Sequence, residues 1–136
     1  MNNESKNSPA GPHKPSEAPS GAGPSELAQI ELLKQSTAMF QLVMDNIPMS
    51  IFWKDKEGVY LGCNKRLAMD TNCLTTAEII GKTDYDLAWS KEESDFYRAC
   101  DKRVMETGQA EFHIIEPQLR SGKKRAWLDT SKIPLQ

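Results

Sequence analysis

The chain is poor in the residues that most often do chemistry. Its three cysteines, Cys63, Cys73 and Cys100, form no Cys-x-x-Cys pair, and its two histidines, His13 and His113, stand apart from them. A zinc site needs four closely spaced nitrogen or sulfur ligands, so none is expected. An odd, scattered set of thiols fits a reducing compartment. No apolar run approaches the roughly 20 residues of a membrane-spanning helix, and the N-terminus has no apolar stretch of the signal-peptide kind. A formal charge of −2 gives no reason to expect nucleic acid or an anionic membrane as partner. No nucleophile–base pair, phosphate-cradling glycine loop or metal cluster is present, so no catalytic constellation is expected. A soluble, cytoplasmic module is the expectation.

Residues 1–24 contain no aromatic or large aliphatic residue after Met1 and are dominated by Pro, Gly and Ser. Such a tail cannot bury enough apolar surface to offset its ordering entropy and is expected to be disordered. The pattern turns helical over residues 25–47, with Ser25 as N-cap and Pro48 as the stop. Ile30, Leu33, Phe40, Met44 and Ile47 recur at heptad spacing, with Thr37 in the remaining place. The seam suits either the domain's own core or the same helix of a second copy. Residues 48–136 then form one domain. Ile51–Asp55 and Val59–Cys63 read as strands joined by a Lys-Glu-Gly turn. Asn64 caps a short helix over Lys65–Thr71, and Thr75–Glu78 is a capping box before Gly81. Ser90–Glu93 is another, opening a helix to about Thr107 with Gly108 as its stop and Phe96, Tyr97, Cys100, Val104 and Met105 as its apolar face. A longer hairpin finishes the chain. The result is an α+β domain with an antiparallel sheet.

Four stretches in this order, "IFWKDKEGVYLGCNKRLA", "EIIGKTDYDLAW", "YRACDKRVMETGQ" and "RAWLDTSKIPL", resemble a PAS domain of the kind found in bacterial sensor histidine kinases and related signalling proteins. The resemblance spans about Phe40 to Gln136. It implies a five-stranded antiparallel sheet of order 2-1-5-4-3 with helices over one face, strands three and four lying near Ala110–Gln118 and Lys124–Pro134. On this pattern the fifth strand would follow "IPLQ", so the sequence is expected to be cut inside the domain, ahead of a C-terminal effector. The role implied is a sensory and dimerisation module at the N-terminal input end of a histidine kinase. The alternatives are a ligand-free pairing module, or the input domain of a cyclic-dinucleotide enzyme or a transcription regulator.

The resemblance also bears on ligands. The long helix carries no haem-binding His, and neither "GCNKRLA" nor "TNCL" reproduces the flavin-type Asn-Cys-Arg-Phe pattern, so neither cofactor is expected. A small organic ligand would lie between sheet and helices against Ile51, Trp53, Leu61, Tyr97, Cys100 and Trp127; the alternative is a filled core. Cys63 and Cys100 read as inert apolar thiols. In "GKTDYDLAWSKEES", Asp84, Asp86 and Glu92 lack a flanking base-poised partner and are read as punctuating the backbone, with Leu87 and Trp89 turned inward. The hairpin tip Arg120, Lys123, Lys124 and Arg125 reads as a solubilising cluster.

Overall fold

The computed structural model describes residue 23, residues 25–120 and residues 124–135; the expected tail apart from residue 23, and residue 123 of the basic hairpin tip, lie outside these. The chain divides into two units, residues 1–36 and residues 37–136. Helix α1, Glu26–Asn46, begins in the first and ends in the second. Its first turn is capped by Ser25, whose Oγ accepts from the Ala28 amide at 3.3 Å. Asn46 closes it by donating from its side chain to the Leu42 carbonyl.

The second unit starts with an antiparallel hairpin, β1 (Phe52–Lys54) and β2 (Tyr60–Cys63). Its turn is held by the Asp55 carboxylate, which accepts from the Val59 amide at 2.9 Å. Gly58 sits there at φ +84°, where a side chain would be strained. The outer edge of β2 is not left open. Tyr60 exchanges both backbone hydrogen bonds with residues 81 and 82, at 2.8 and 2.9 Å. That edge-covering segment is placed by α2 (Lys65–Asp70) and a 3-10 turn at Thr76–Glu78 with its capping box.

Asn64 joins these pieces. It is fully buried, and its Oδ1 accepts from the Leu67 amide as N-cap of α2 and from the Ile51 amide at 3.0 Å. Its Nδ2 donates to the carbonyls of Met44 and Met49. One side-chain amide thus ties the end of α1, the following loop, the start of β1 and α2, with its donors and acceptor satisfied. Around it lies a core of Tyr60, Cys63, Leu67, Ala68 and Ile79, with Phe52, Cys73 and Leu87 packed against it.

A second 3-10 turn, Asp84–Asp86, leads to the long helix α3, Lys91–Thr107. Ser90 and Glu93 form the expected capping box, and Gly108 ends the helix at φ +64°. The buried positions of α3 are Ser94, Tyr97, Cys100 and Val104. Phe96 and Met105, expected on the apolar face, are exposed instead, because the surface the helix packs on is narrower than its apolar stripe. Strands β3 (Glu111–Arg120) and β4 (Lys124–Lys132) form the second hairpin, with a bulge near His113, itself at φ +57°.

Among the described residues the strands form two separate two-stranded sheets, β1-β2 and β3-β4, with no ladder from β1 to β4. In the expected order 2-1-5-4-3, these are the strands separated by one place. What joins the hairpins instead is side-chain chemistry on α3, described below.

Trp53 and Gly62 face each other across the first hairpin. A Cβ on Gly62 would fall 2.1 Å from Trp53 Cζ2, so the indole occupies the space a side chain would need. Gly62→Val should therefore overpack this contact and cost about 1–3 kcal/mol, read as a lower unfolding midpoint in urea with a change in tryptophan emission. An unchanged midpoint would show that Trp53 is free to move aside.

Candidate functional site

Strand parity decides which residues face α3. On β1, Phe52 and Lys54 point inward: the Lys54 ammonium lies 5.3 Å from the Phe52 ring centroid and 4.6 Å from that of Tyr60. Trp53 points the other way and meets Phe40 of α1, ring centroids 6.3 Å apart. On the second hairpin, Glu116, Gln118, Thr130 and Lys132 are inward, while Pro117 and Trp127, paired across the strands, are outward.

The inward face is polar and charged. Lys54 Nζ donates to both oxygens of Asp84, at 2.9 and 2.7 Å, and to Asp101 Oδ2 at 2.9 Å. Asp84 is buried, and its Oδ1 also accepts from the Tyr60 hydroxyl at 2.8 Å. The other oxygen of Asp101 accepts from Lys132 Nζ. Lys132 in turn lies 4.0 Å from Glu116 Oε1, while Glu116 Oε2 accepts from the Thr130 hydroxyl at 3.0 Å. A continuous chain, Asp84–Lys54–Asp101–Lys132–Glu116, thus runs from the turn before α3, through β1 and α3, to β4 and β3. All five side chains are buried or nearly so.

Their titration follows from this placement. Burial alone would raise the Asp101 carboxyl, but the two lysines beside it outweigh burial and hold it below the usual range. Burial raises the Glu116 carboxyl, with Lys132 and Thr130 only partly offsetting it. Burial, then the Asp84 charge, raises the Tyr60 hydroxyl. Glu116 Oε1 is buried and has no hydrogen-bond partner. The Tyr97 hydroxyl lies nearby, beside Gln118, and burial raises it too. An unpaired oxygen in such a place can take a hydrogen bond from a bound molecule or hold a proton of its own.

The residues expected to line a pocket do not converge. Tyr97 and Cys100 are buried on the inward side of α3, where Cys100 Sγ lies 3.6 Å from Arg103 Nη2. Ile51 is half-buried, with its backbone held by Asn64. Trp53 is on the opposite face of its hairpin, and Leu61 and Trp127 are 52% and 68% exposed. The reason is a parity the sequence inverts: polar residues occupy inward positions and aromatic ones outward positions. A cleft of about 250 Å³ does exist, but it is lined by Glu92, Glu93 and Phe96 of α3 and by Ile115 and Pro117 at the outward positions of β3, not by these residues.

The carboxylates of the "TDYDLAWSKEE" stretch separate into two roles. Asp86 completes a capping box with Thr83, and Glu93 does so with Ser90. Asp84 does more than punctuate the backbone, since it is the buried end of the ionic chain. Leu87 packs on the core and Trp89 meets Tyr97 edge-on at 5.9 Å, as expected. Burial pushes the Cys63 thiol up to about 11. Among the described residues, no group of three or more His, Cys, Asp or Glu side chains could hold a metal ion.

The helical seam also divides. Met44 is buried in the domain and Phe40 is set against Trp53, whereas Ile30 and Leu33 are exposed. Ile47 is half-buried.

Two antiparallel hairpins with flanking helices and a long helix between them are consistent with a PAS architecture, and residues 44–136 match the PAS fold family. The chain belongs to that family. It is similar in structure to VqmA bound to DPO, at 16% identity and a TM-score of 0.64, covering 76% of this chain and 50% of that one. It is likewise similar to a Vibrio cholerae VqmA dimer without target DNA, with 16% identity, a TM-score of 0.64, and 75% and 44% of the two chains covered. A VqmA–ligand–DNA complex from Vibrio gives 16%, 0.64, and 76% and 43%. At this identity the likeness establishes the fold. The chain spans half or less of those neighbours' length. No curated protein matches the sequence.

Two outcomes follow from the ionic chain. Lys54→Met would leave Asp84 and Asp101 buried without their shared cation, and should cost about 3–5 kcal/mol in urea unfolding; a cost under 1 kcal/mol would mean water reaches both carboxylates. Glu116 gives a pH signature. A carboxyl whose folded pKa lies above its unfolded one contributes stability that is present below the unfolded pKa and is lost as pH rises through the folded value. Glutamine does not titrate, so Glu116→Gln should gain stability relative to wild type as pH rises above the ordinary glutamate range. A pH-independent difference would show that burial does not raise the Glu116 carboxyl.

Proposed function

We propose that this chain is the sensory module of a signalling protein and that its ligand is a small polar molecule received on the inward face between α3 and the second hairpin. The observation that carries this reading is the buried Glu116 Oε1, without a hydrogen-bond partner at the end of the ionic chain. A ligand donor pairing with that oxygen stabilises the ionised carboxylate and changes its pull on Lys132. Lys132 shares Asp101 with Lys54, so the change is passed to β1 and to the turn at Asp84. A ligand acts by favouring one of two such arrangements, to the extent of its differential affinity for them. Neither haem nor flavin is part of this proposal.

The output is proposed to be a histidine kinase, on the resemblance of the four sequence stretches. A second reading, the input domain of a DNA-binding regulator, is favoured by the VqmA structures, one of which holds both ligand and DNA. In either case the module is proposed to act in the cytoplasm as a homodimer. Among the described residues no helix is long and apolar enough to cross a membrane.

Thermal-shift screening of polar metabolites tests the ligand, because a molecule that binds only the folded state raises the unfolding midpoint. The expected hit stabilises wild type and loses its effect in Glu116→Met. Hits that stabilise both proteins equally would move the site elsewhere, and a complete absence of hits, with no small molecule retained in native mass spectrometry, would favour a pairing module without ligand.

A further inference from the structure

The ionic chain alternates in sign until it stops. Asp84, Lys54, Asp101 and Lys132 follow one another as carboxylate, ammonium, carboxylate and ammonium, and Glu116 is the last member. At Asp101 each carboxylate oxygen takes one lysine: Oδ2 accepts from Lys54 and Oδ1 from Lys132. Among the described residues Glu116 has no second cation in salt-bridge contact. Its Oε2 accepts from the neutral Thr130 hydroxyl at 3.0 Å, and its Oε1 lies 4.0 Å from Lys132, whose short bond goes to Asp101. Arg98 joins the chain at Asp101, 3.9 Å away. The Glu116 side chain is 4% exposed, so bulk water does not supply the missing partner.

The surroundings select the sign of what would complete the chain. The largest charge effects on the nearby Tyr97 hydroxyl come from Glu93, Glu116 and Asp84, carboxylates of α3, β3 and the turn before α3. That hydroxyl is itself buried without a hydrogen-bond partner. The cation close to both groups is Lys132, 5.9 Å from the Tyr97 ring centroid and already bonded to Asp101. A carboxylate or phosphate entering here would add another buried negative charge, which desolvation penalises heavily. A neutral hydroxyl would satisfy the oxygen but leave its charge unmatched. An ammonium does both, through a charge-assisted hydrogen bond roughly twice as strong as a neutral one. Its remaining N–H groups suit the Tyr97 hydroxyl oxygen.

We infer that the ligand of the inward site is a small organic amine, bound as its ammonium ion with one N–H donated to Glu116 Oε1. The inference rests on the sensory reading above and names the chemical class of its ligand. It also sets a pH dependence. The groups acting on Glu116 are Lys132 and Thr130 of β4, Asp101 and Tyr97 of α3, and Lys54 of β1. Without ligand, burial raises the Glu116 carboxyl above its ordinary value. The ammonium pairs with the ionised form, so its binding displaces the proton that Glu116 holds below that raised value. Affinity therefore rises with pH through the Glu116 titration and levels off above it. Asp101 is held below the usual carboxylate range and the Tyr97 hydroxyl is raised, so neither supplies this dependence. A simple amine titrates near pH 10, as lysine does, and stays charged throughout.

Titration of the full chain with 3-amino-1-propanol, 1,3-propanediol and 3-hydroxypropionate tests this. The three share a chain length and one hydroxyl and differ in the charge of the other end. Amide resonances of β3 and β4 report occupancy by NMR. Above the Glu116 titration the amine should bind about tenfold or more tighter than the diol or the hydroxy acid. Its dissociation constant should fall by up to about tenfold per pH unit as pH rises through that titration. Glu116→Gln keeps the shape and removes the charge, so it should weaken the amine about tenfold or more and abolish the pH dependence. A diol or hydroxy acid that binds better than the amine, and is lost in Glu116→Met, overturns the amine while the site stands. An amine that gives no saturating change in wild type, or whose affinity is the same at every pH or in Glu116→Gln, also overturns it. Probe binding that survives Glu116→Met unchanged overturns the site, and with it the reading on which the amine rests.

Discussion

Two lysines on separate hairpins share one aspartate on the helix between them. Lys54 of β1 and Lys132 of β4 both bond Asp101 of α3, and no backbone ladder joins those two strands among the described residues. The mutual placement of the hairpins across α3 therefore depends on charge pairing at this point. Such an arrangement is costly to assemble, because each ion leaves water, and is justified only when every charge finds good partners. Lys54 does so fully, with three short bonds and two aromatic faces beneath it. Lys132 has one short bond, a more distant carboxylate and the Tyr97 ring centroid 5.9 Å away. The chain is thus firm at its Asp84 end and looser at its Glu116 end.

That asymmetry suits a sensing role better than a catalytic one. A catalytic carboxylate needs a poised partner and a place for substrate beside it. Here the carboxylates are engaged with lysines that bind structural elements together. On the proposed reading, a disturbance at the loose end would reach the firm end through the shared partners. Asn64 plays the corresponding uncharged role at the other side of the core, holding α1, β1 and α2 by four hydrogen bonds.

Much of the element order was legible because it is written in local chemistry. Ser90 with Glu93, Thr75 with Glu78, Asn64 as a cap, and Gly58 and Gly108 as left-handed stops act over three or four residues, and each lies where the spacing predicts. The interior was less legible. Lys54, Glu116, Gln118 and Lys132 face inward while Trp53, Leu61 and Trp127 face outward, the reverse of what hydropathy suggests. A strand's alternation tells which residues share a face but not which face is covered. The one available signal was oppositely charged residues at inward-parity positions, Lys54 on β1 and Asp101 on α3, and their pairing becomes visible only once the hairpin and helix are brought together.

The sequence by itself determined where helices and turns begin and end, the two hairpins, and the membership of the PAS family, since these depend on neighbours within a few residues and on motif order. Tertiary structure alone decided that Asp84 is an ionic partner and not only a cap, that the polar sides of the strands meet α3, and that half of the helical seam is used within the domain. Each of these depends on which surfaces are removed from water together. Desolvation raises the worth of a charge pair and the cost of an unpaired oxygen, and it acts between residues 30 to 47 positions apart, as in Lys54–Asp84 and Lys54–Asp101.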